Sequence, residues 1–109
     1  NTGIVSPRPD MYDGAHKHFG YSISKCAVAH LTRMLAVHLA PSITVNCIAP
    51  GGIVNDQPEA FRKLYGSHTP VGRMMKKFEI MPAIKMLLDE NNTYMSGSEI
   101  VVDGAWSII

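Results

Sequence analysis

The sequence predicts an α/β protein, a parallel sheet with crossover helices, that is incomplete within its 109 residues. Three observations carry this. Segments with helical and strand-like patterns follow one another in the order helix, strand, helix, helix, strand. Both strand-like segments are short, β-branched and bounded by Pro, Gly or Asn, as buried parallel strands are. Finally, two strands of four to seven residues make a poor sheet, and a parallel pair needs cover on both faces, so further strands are expected upstream or from another chain.

Each element has its own warrant. Asn1 to Gly20 reads as a loop, punctuated by Pro7, Pro9, Gly14 and Gly20, and a long loop carrying its own aromatic residues, Tyr12 and Phe19, is more often functional than idle. Ser22 to about Leu39 predicts a helix, because Ile23, Ala27, Leu31, Met34, Leu35 and His38 recur at three- and four-residue steps. Pro41 stops it. Ile43 to Ala49 predicts a buried strand between Pro41-Ser42 and Pro50-Gly51-Gly52. Asp56 or Gln57 then caps a short helix with Pro58 in its first turn, which runs to about Tyr65 and ends at Gly66. Ser67 to Met75 is a second loop. A helix from about Phe78 to Asp89 follows, with Phe78, Met81, Ile84, Leu87 and Leu88 as its apolar face and Pro82 near its start, where backbone N–H groups need no partner within the helix. Asn91-Asn92 close it, and Glu99 to Val102 make a last strand before Asp103-Gly104.

Composition excludes several classes of function. With 46% hydrophobic and 17% charged residues the chain is neither disordered nor of low complexity. A net charge of +1 with scattered basic residues offers no footprint for nucleic acid or an anionic membrane. No apolar run approaches the roughly 18 residues of a membrane span. Cys26 and Cys47 read as small core residues, which makes a reducing cytoplasm the simplest setting. His16, His18, His30, His38 and His68 match no metal-binding spacing, so no metal site is expected. The seven methionines read as adaptable core filler. Trp106 reads equally as core, interface or pocket wall, and Arg73 and His68 are candidates to reach a polar substrate. The chain opens on Asn1-Thr2-Gly3 instead of Met, as expected of a segment of something longer.

The chemistry sits in Tyr21-Ser22-Ile23-Ser24-Lys25. Four residues is about one helical turn, which puts the phenol and the ammonium on one face at a helix start. A phenol used as an acid/base near neutrality needs its anion stabilised, and a neighbouring cation has the right sign. The bare pattern also describes an ordinary surface pair. Context decides, because the chain resembles the short-chain dehydrogenase/reductase family over roughly four fifths of its length, from Tyr21 to Trp106, in motifs that keep the family's order. Tyr21-Ser22-Ile23-Ser24-Lys25-Cys26-Ala27 is similar to its catalytic Tyr-x-x-x-Lys and the small residue that follows. Ile43 to Gly51 resembles its penultimate core strand and Pro-Gly turn. Thr69-Pro70-Val71-Gly72-Arg73 resembles the loop before its last helix, and Met95-Ser96-Gly97 to Val101-Val102-Asp103-Gly104 its last strand.

The resemblance implies the C-terminal part of a doubly wound Rossmann-type sheet, with residues 1–109 as one segment of a single dehydrogenase domain, 1–20 a substrate-side loop and 21–109 the helices and strands. It implies hydride transfer with NAD or NADP between a small alcohol and a ketone, in a full-length protein that forms homo-oligomers. Tyr21 would be the proton donor or acceptor. Lys25 would favour the Tyr21 phenolate and hydrogen-bond the nicotinamide ribose. Pro50, Gly51 and Gly52 would lie under the nicotinamide, Ile53 would bind its carboxamide through the backbone, and Asn55 stands where the family often has a cofactor-contacting Thr. Met75, Lys77, Phe78 and Ala105 depart from the family's usual Gly, Pro, acidic residue and Gly. Larger gaps are the glycine-rich turn, the residue that reads the adenosine ribose, the helix asparagine and the catalytic serine. That serine is expected about 13 residues before the tyrosine, where Arg8 stands. Ser6 is one candidate; a longer loop, Ser6 to Gly14, resembles an insertion that places the serine before Asn1 instead. Without a pyrophosphate cradle the segment is expected to be inactive alone, and a non-catalytic fragment serving oligomerisation or binding is the alternative.

Overall fold

The computed structural model describes residues 3–12 and 18–109; residues 1–2 and 13–17, among them Thr2, Gly14 and His16 of the predicted loop, lie outside the described part. In chain order come α1 (Phe19–His38), β1 (Cys47–Pro50), α2 (Glu59–Ser67), α3 (Met81–Leu88) and β2 (Glu99–Val102), with single 3₁₀ turns at Pro9–Tyr12, Lys77–Ile80 and Trp106–Ile108. The two strands pair in parallel, Cys47 opposite Glu99 through Pro50 opposite Val102. The predicted α/β class and its parallel pair are therefore observed.

Several boundaries differ from the sequence reading, each for a local reason. Helix α1 starts three residues earlier, because His18 caps it through the ring: Gly20 N–H donates to His18 Nδ1 at 3.1 Å. Gly20 does no harm in a first turn whose N–H groups have no helical acceptor. Strand β1 starts later than Ile43. The N–H groups of Ser42 and Ile43 both bond back to Leu39 O, and Asn46 bridges to the last strand through its side chain, donating to Met95 O and accepting from Ser98 N–H. Neither Asp56 nor Gln57 caps α2, whose N-cap is Pro58. Gln57 folds back instead, accepting from Asn55 N–H and donating to Ile53 O. Gly66 does not end α2 but lies inside its last turn, where a Cβ would come within 2.6 Å of Gly72 O. The last predicted helix divides into the 3₁₀ turn and α3, with Pro82 in the first turn of α3 as expected.

The core is small and sits at one end. Met11, Tyr65, Met74 and Trp106 form it, with Val5, Tyr12, Val54 and Phe61 packed around them. No side chain among the described residues is completely buried, and the Cα radius of gyration, 15.6 Å, exceeds the roughly 13 Å of a closed domain of about this size. On α1 it is Thr32 and Ala36 that are buried, while Ile23, Leu31 and Met34 of the predicted core face stay exposed. Cys26, expected in a core, is exposed on this same helix, and Cys47 is half-buried. The sheet is thus incomplete in the way two short parallel strands require.

After β2, Asp103 accepts from Ala105 N–H and Ser107 N–H, each at 3.0 Å, and so folds the chain back to bury Trp106. That reversal puts Ala105 at φ 69°, ψ 16°, a left-handed conformation that a Cβ disfavours. Ala105→Gly is therefore expected to stabilise the protein by about 1 kcal/mol, read as a higher denaturation midpoint with an unchanged slope.

Candidate active site

Tyr21 and Lys25 occupy the first two turns of α1, and the fold sets both beside the C-terminal end of β1. Lys25 Nζ lies 5.5 Å from the centre of the Tyr21 ring, close enough for attraction between the ammonium and the ring face. Tyr21, 47% exposed, is on the wall of two adjoining cavities. The smaller, about 260 Å³, is shared with Lys25, Ala49, Pro50 and Gly51. In the larger, about 380 Å³, Tyr21 faces Pro50, Gly51, Gly52 and Ile53.

The turn after β1 is held by its neighbours. Gly51 N–H extends the ladder to Val102 O at 2.8 Å, and Gly52 N–H donates to the Tyr65 hydroxyl at 2.6 Å. The glycine pair, expected for close approach to a ligand, first answers a packing demand. A Cβ on Gly51 would lie 2.8 Å from Asp103 Cα, and one on Gly52 would lie 2.7 Å from the Tyr65 ring. Ile53 then forms a parallel bridge to Met75, made by Met75 N–H to Gly52 O and Val54 N–H to Met75 O. In that pattern the N–H and C=O of Ile53 itself face away from Met75. Its C=O takes the Gln57 amide, and both residues line the larger cavity. Asn55 is exposed, lines neither cavity, and gives its N–H to Gln57. Six of the seven residues singled out from the sequence thus meet at one place.

The aromatic wall of the larger cavity is legible in the sequence only in part: Trp106 reads equally as core, interface or pocket wall and Tyr12 as part of a functional loop, while Phe61 and Tyr65 are not singled out. Tyr65 and Trp106 stack with ring centres 4.3 Å apart and planes 6° from parallel, and Phe61 and Tyr12 extend the surface at 6.3 to 6.4 Å spacings. Phe61 and Tyr65 are four residues apart on α2, a spacing that would have marked them as one face. Burial pushes the Tyr65 phenol up, outweighing the Gly52 N–H, and Asp103 and Tyr12 push the same way. Tyr65 therefore stays a neutral phenol that anchors the turn. Ser6 also lines this cavity.

Arg73 and His68, two candidates to reach a polar substrate, each have a partner within the chain. Arg73 forms a two-pronged bond to Glu79, 2.7 Å at each oxygen. That bond, with the Lys76 N–H, takes the Glu79 carboxyl down to about 2. His68 Nε2 donates to Asp10 at 2.8 Å, and its other nitrogen faces Arg8. Among the described residues no group of three or more His, Cys, Asp or Glu side chains gathers as metal ligands would, and no helix is long and apolar enough to cross a membrane.

Residues 11–107 match the family model described as enoyl-(acyl carrier protein) reductase. The chain belongs to the short-chain dehydrogenase/reductase family. It is 39% identical over 99 residues to glucose 1-dehydrogenase of Gluconobacter oxydans, a match covering 84% of this chain and 37% of that one. Sorbose reductase of Schizosaccharomyces pombe is 38% identical over 90 residues, covering 79% of this chain and 35% of that protein. Among solved structures, a short-chain dehydrogenase of Leptospira borgpetersenii with bound NAD+ superposes with a TM-score of 0.89 at 30% identity, over 97% of this chain and 41% of that one. This short-chain dehydrogenase/reductase segment thus spans about two fifths of the length of these relatives, and it carries the Rossmann-type parallel pair at which open α/β sheets receive ligands.

Proposed function

We propose that these residues are the C-terminal part of an NAD(P)-dependent oxidoreductase that interconverts a small alcohol and a ketone, with Tyr21 as acid/base and Lys25 as its electrostatic partner. The observation that carries this reading is the Tyr21–Lys25 pair opening onto the same cavities as the turn after β1. The donors present suit a nicotinamide riboside. Lys25 brings an ammonium for ribose hydroxyls, Gly51 and Gly52 bring bare backbone, and the Ile53 N–H faces away from its bridge as an amide anchor. When bound, the nicotinamide supplies or accepts the hydride. The protein's own part is the proton: Tyr21 takes it from the alcohol oxygen during oxidation and returns it to the carbonyl oxygen during reduction. Lys25 stabilises the phenolate in between. Pro50, Gly51, Gly52 and Ile53 fix the floor of the site; Asn55, outside both cavities, would have to move to touch the cofactor.

The segment's relatives are about two and a half times its length, and the sequence holds no glycine-rich phosphate turn, so catalysis belongs to a full-length protein. There, secondary alcohols are expected to drive formation of reduced nicotinamide from NAD+ or NADP+, measured by its absorbance. The 109 residues alone are expected to do so at no detectable rate. A full-length protein inert towards a broad panel of alcohols and ketones with both cofactors would overturn the reading. That outcome would favour the alternative, a non-catalytic oligomerisation or binding module, for which the exposed apolar residues of α1, such as Phe19, Met34 and Val37, would be the surface.

A further inference from the structure

Among the described residues, one cationic side chain, Arg8, is on the wall of the larger cavity. Arg8 lines the cavity together with Tyr21 and Trp106. Its guanidinium carbon lies 5.1 Å from the centre of the Trp106 ring, a placement that fixes the planar group over an aromatic face. Nη2 donates to the main-chain oxygen of Ile109 at 3.1 Å, and Nη1 lies 3.4 Å from His68 Nδ1. Nε2 of the same ring bonds Asp10, so the ring stands between Arg8 and that carboxylate. Among the described residues no side-chain carboxylate lies within ion-pair distance of Arg8. Arg33, Lys63 and Arg73 each have one, and Asp10, which belongs to the same cluster, is engaged by His68. Arg8 is thus held in place by a ring, a histidine and a backbone oxygen, half-buried on the wall that Tyr21 shares.

Much of the rest of that wall is apolar, with Met11, Phe61, Met74 and Trp106 beside the rings of Tyr12 and Tyr65, and Ser6 and Gln57 are its polar members. A neutral alcohol needs none of the cation, whereas an anionic group on the substrate would pair with a guanidinium whose fork matches a carboxylate. We infer that the substrate is a hydroxy acid or keto acid, its carbinol or carbonyl carbon at Tyr21 and its carboxylate on Arg8, with its carbon chain against the aromatic wall. This rests on the oxidoreductase reading above and adds to it the charge of the substrate and the residue that selects it.

The test uses the full-length protein with lactate, hydroxybutyrate and gluconate, each compared with its methyl ester, which removes the charge and keeps the carbinol. At least one acid is expected to exceed its ester in kcat/KM by about ten- to a hundredfold, the range of a charge-assisted bond at a partly desolvated site. Arg8→Met is expected to erase that preference, read within the variant as the ratio of kcat/KM for each acid to kcat/KM for its ester. Esters turned over as well as acids, with Arg8→Met indifferent, would overturn the inference and leave the oxidoreductase reading standing. If neither acids nor esters react while other alcohols of a broad panel do, the inference fails and the oxidoreductase reading stands; if the whole panel is inert with both cofactors, both fail.

Discussion

In the full-length protein, Tyr21→Phe is expected to lower kcat by about a hundred- to ten-thousandfold, with KM for the cofactor nearly unchanged. The substitution removes the hydroxyl proposed to exchange a proton with substrate and keeps the ring against which Lys25 packs. Tyr21 is in the first turn of α1 and half exposed, so the stability change should stay within about 1 kcal/mol. Lys25→Met is the informative companion. It removes both the charge beside the phenol and the proposed donor for the ribose, so it should lower kcat and raise the cofactor KM together. Rapid-mixing measurement of the first turnover separates a slowed hydride step from slowed product release. A Tyr21→Phe protein that retains a tenth or more of its turnover would remove Tyr21 from the chemistry.

The parts of the site that could be read from the sequence are those set by local geometry. Tyr21 and Lys25 are one helical turn apart whichever residue begins α1, so the three-residue error at its start did not matter. The turn after β1 announced itself through Pro50-Gly51-Gly52, and Val101-Val102-Asp103-Gly104 gave the last strand with its end. What stayed hidden needs distant segments. Arg8, the Phe61–Tyr65 face of α2 and Trp106 come from three separate stretches, and only the folding-back of residues 103–107 on Asp103 brings the indole to Tyr65. Gly66 misled because glycine commonly ends helices, whereas here it makes room for Gly72 O. The α1 periodicity misled because it marks an apolar face without saying which partner covers it; within this chain the buried side is that of Thr32 and Ala36.

Trp106 carries the second large expected effect. It is 8% exposed and stacked on Tyr65, and Arg8 covers it. Truncating a buried aromatic residue to alanine removes its transfer free energy and leaves a cavity, about 3 to 5 kcal/mol together. The rest of the core is only Met11, Tyr65 and Met74 with partly buried neighbours, so little is available to collapse into the space. Trp106→Ala is therefore expected to lower Tm by about 10 °C or more in a full-length protein of typical size for the family. Trp106→Phe keeps a ring against Tyr65 and should recover about half. The loss should also reach the active site. Tyr65 lies between Trp106 and Gly52 and accepts the Gly52 N–H, so a tilted Tyr65 ring releases the turn that carries Ile53. The expected signature, at a temperature where Trp106→Ala is folded, is a raised cofactor KM with a smaller change in kcat. Tyr94→Ala, at a side chain wholly exposed in this chain, should change neither by a comparable amount. If Trp106→Ala melts within 2 °C of the parent protein, the aromatic stack is not what holds this end of the fold together.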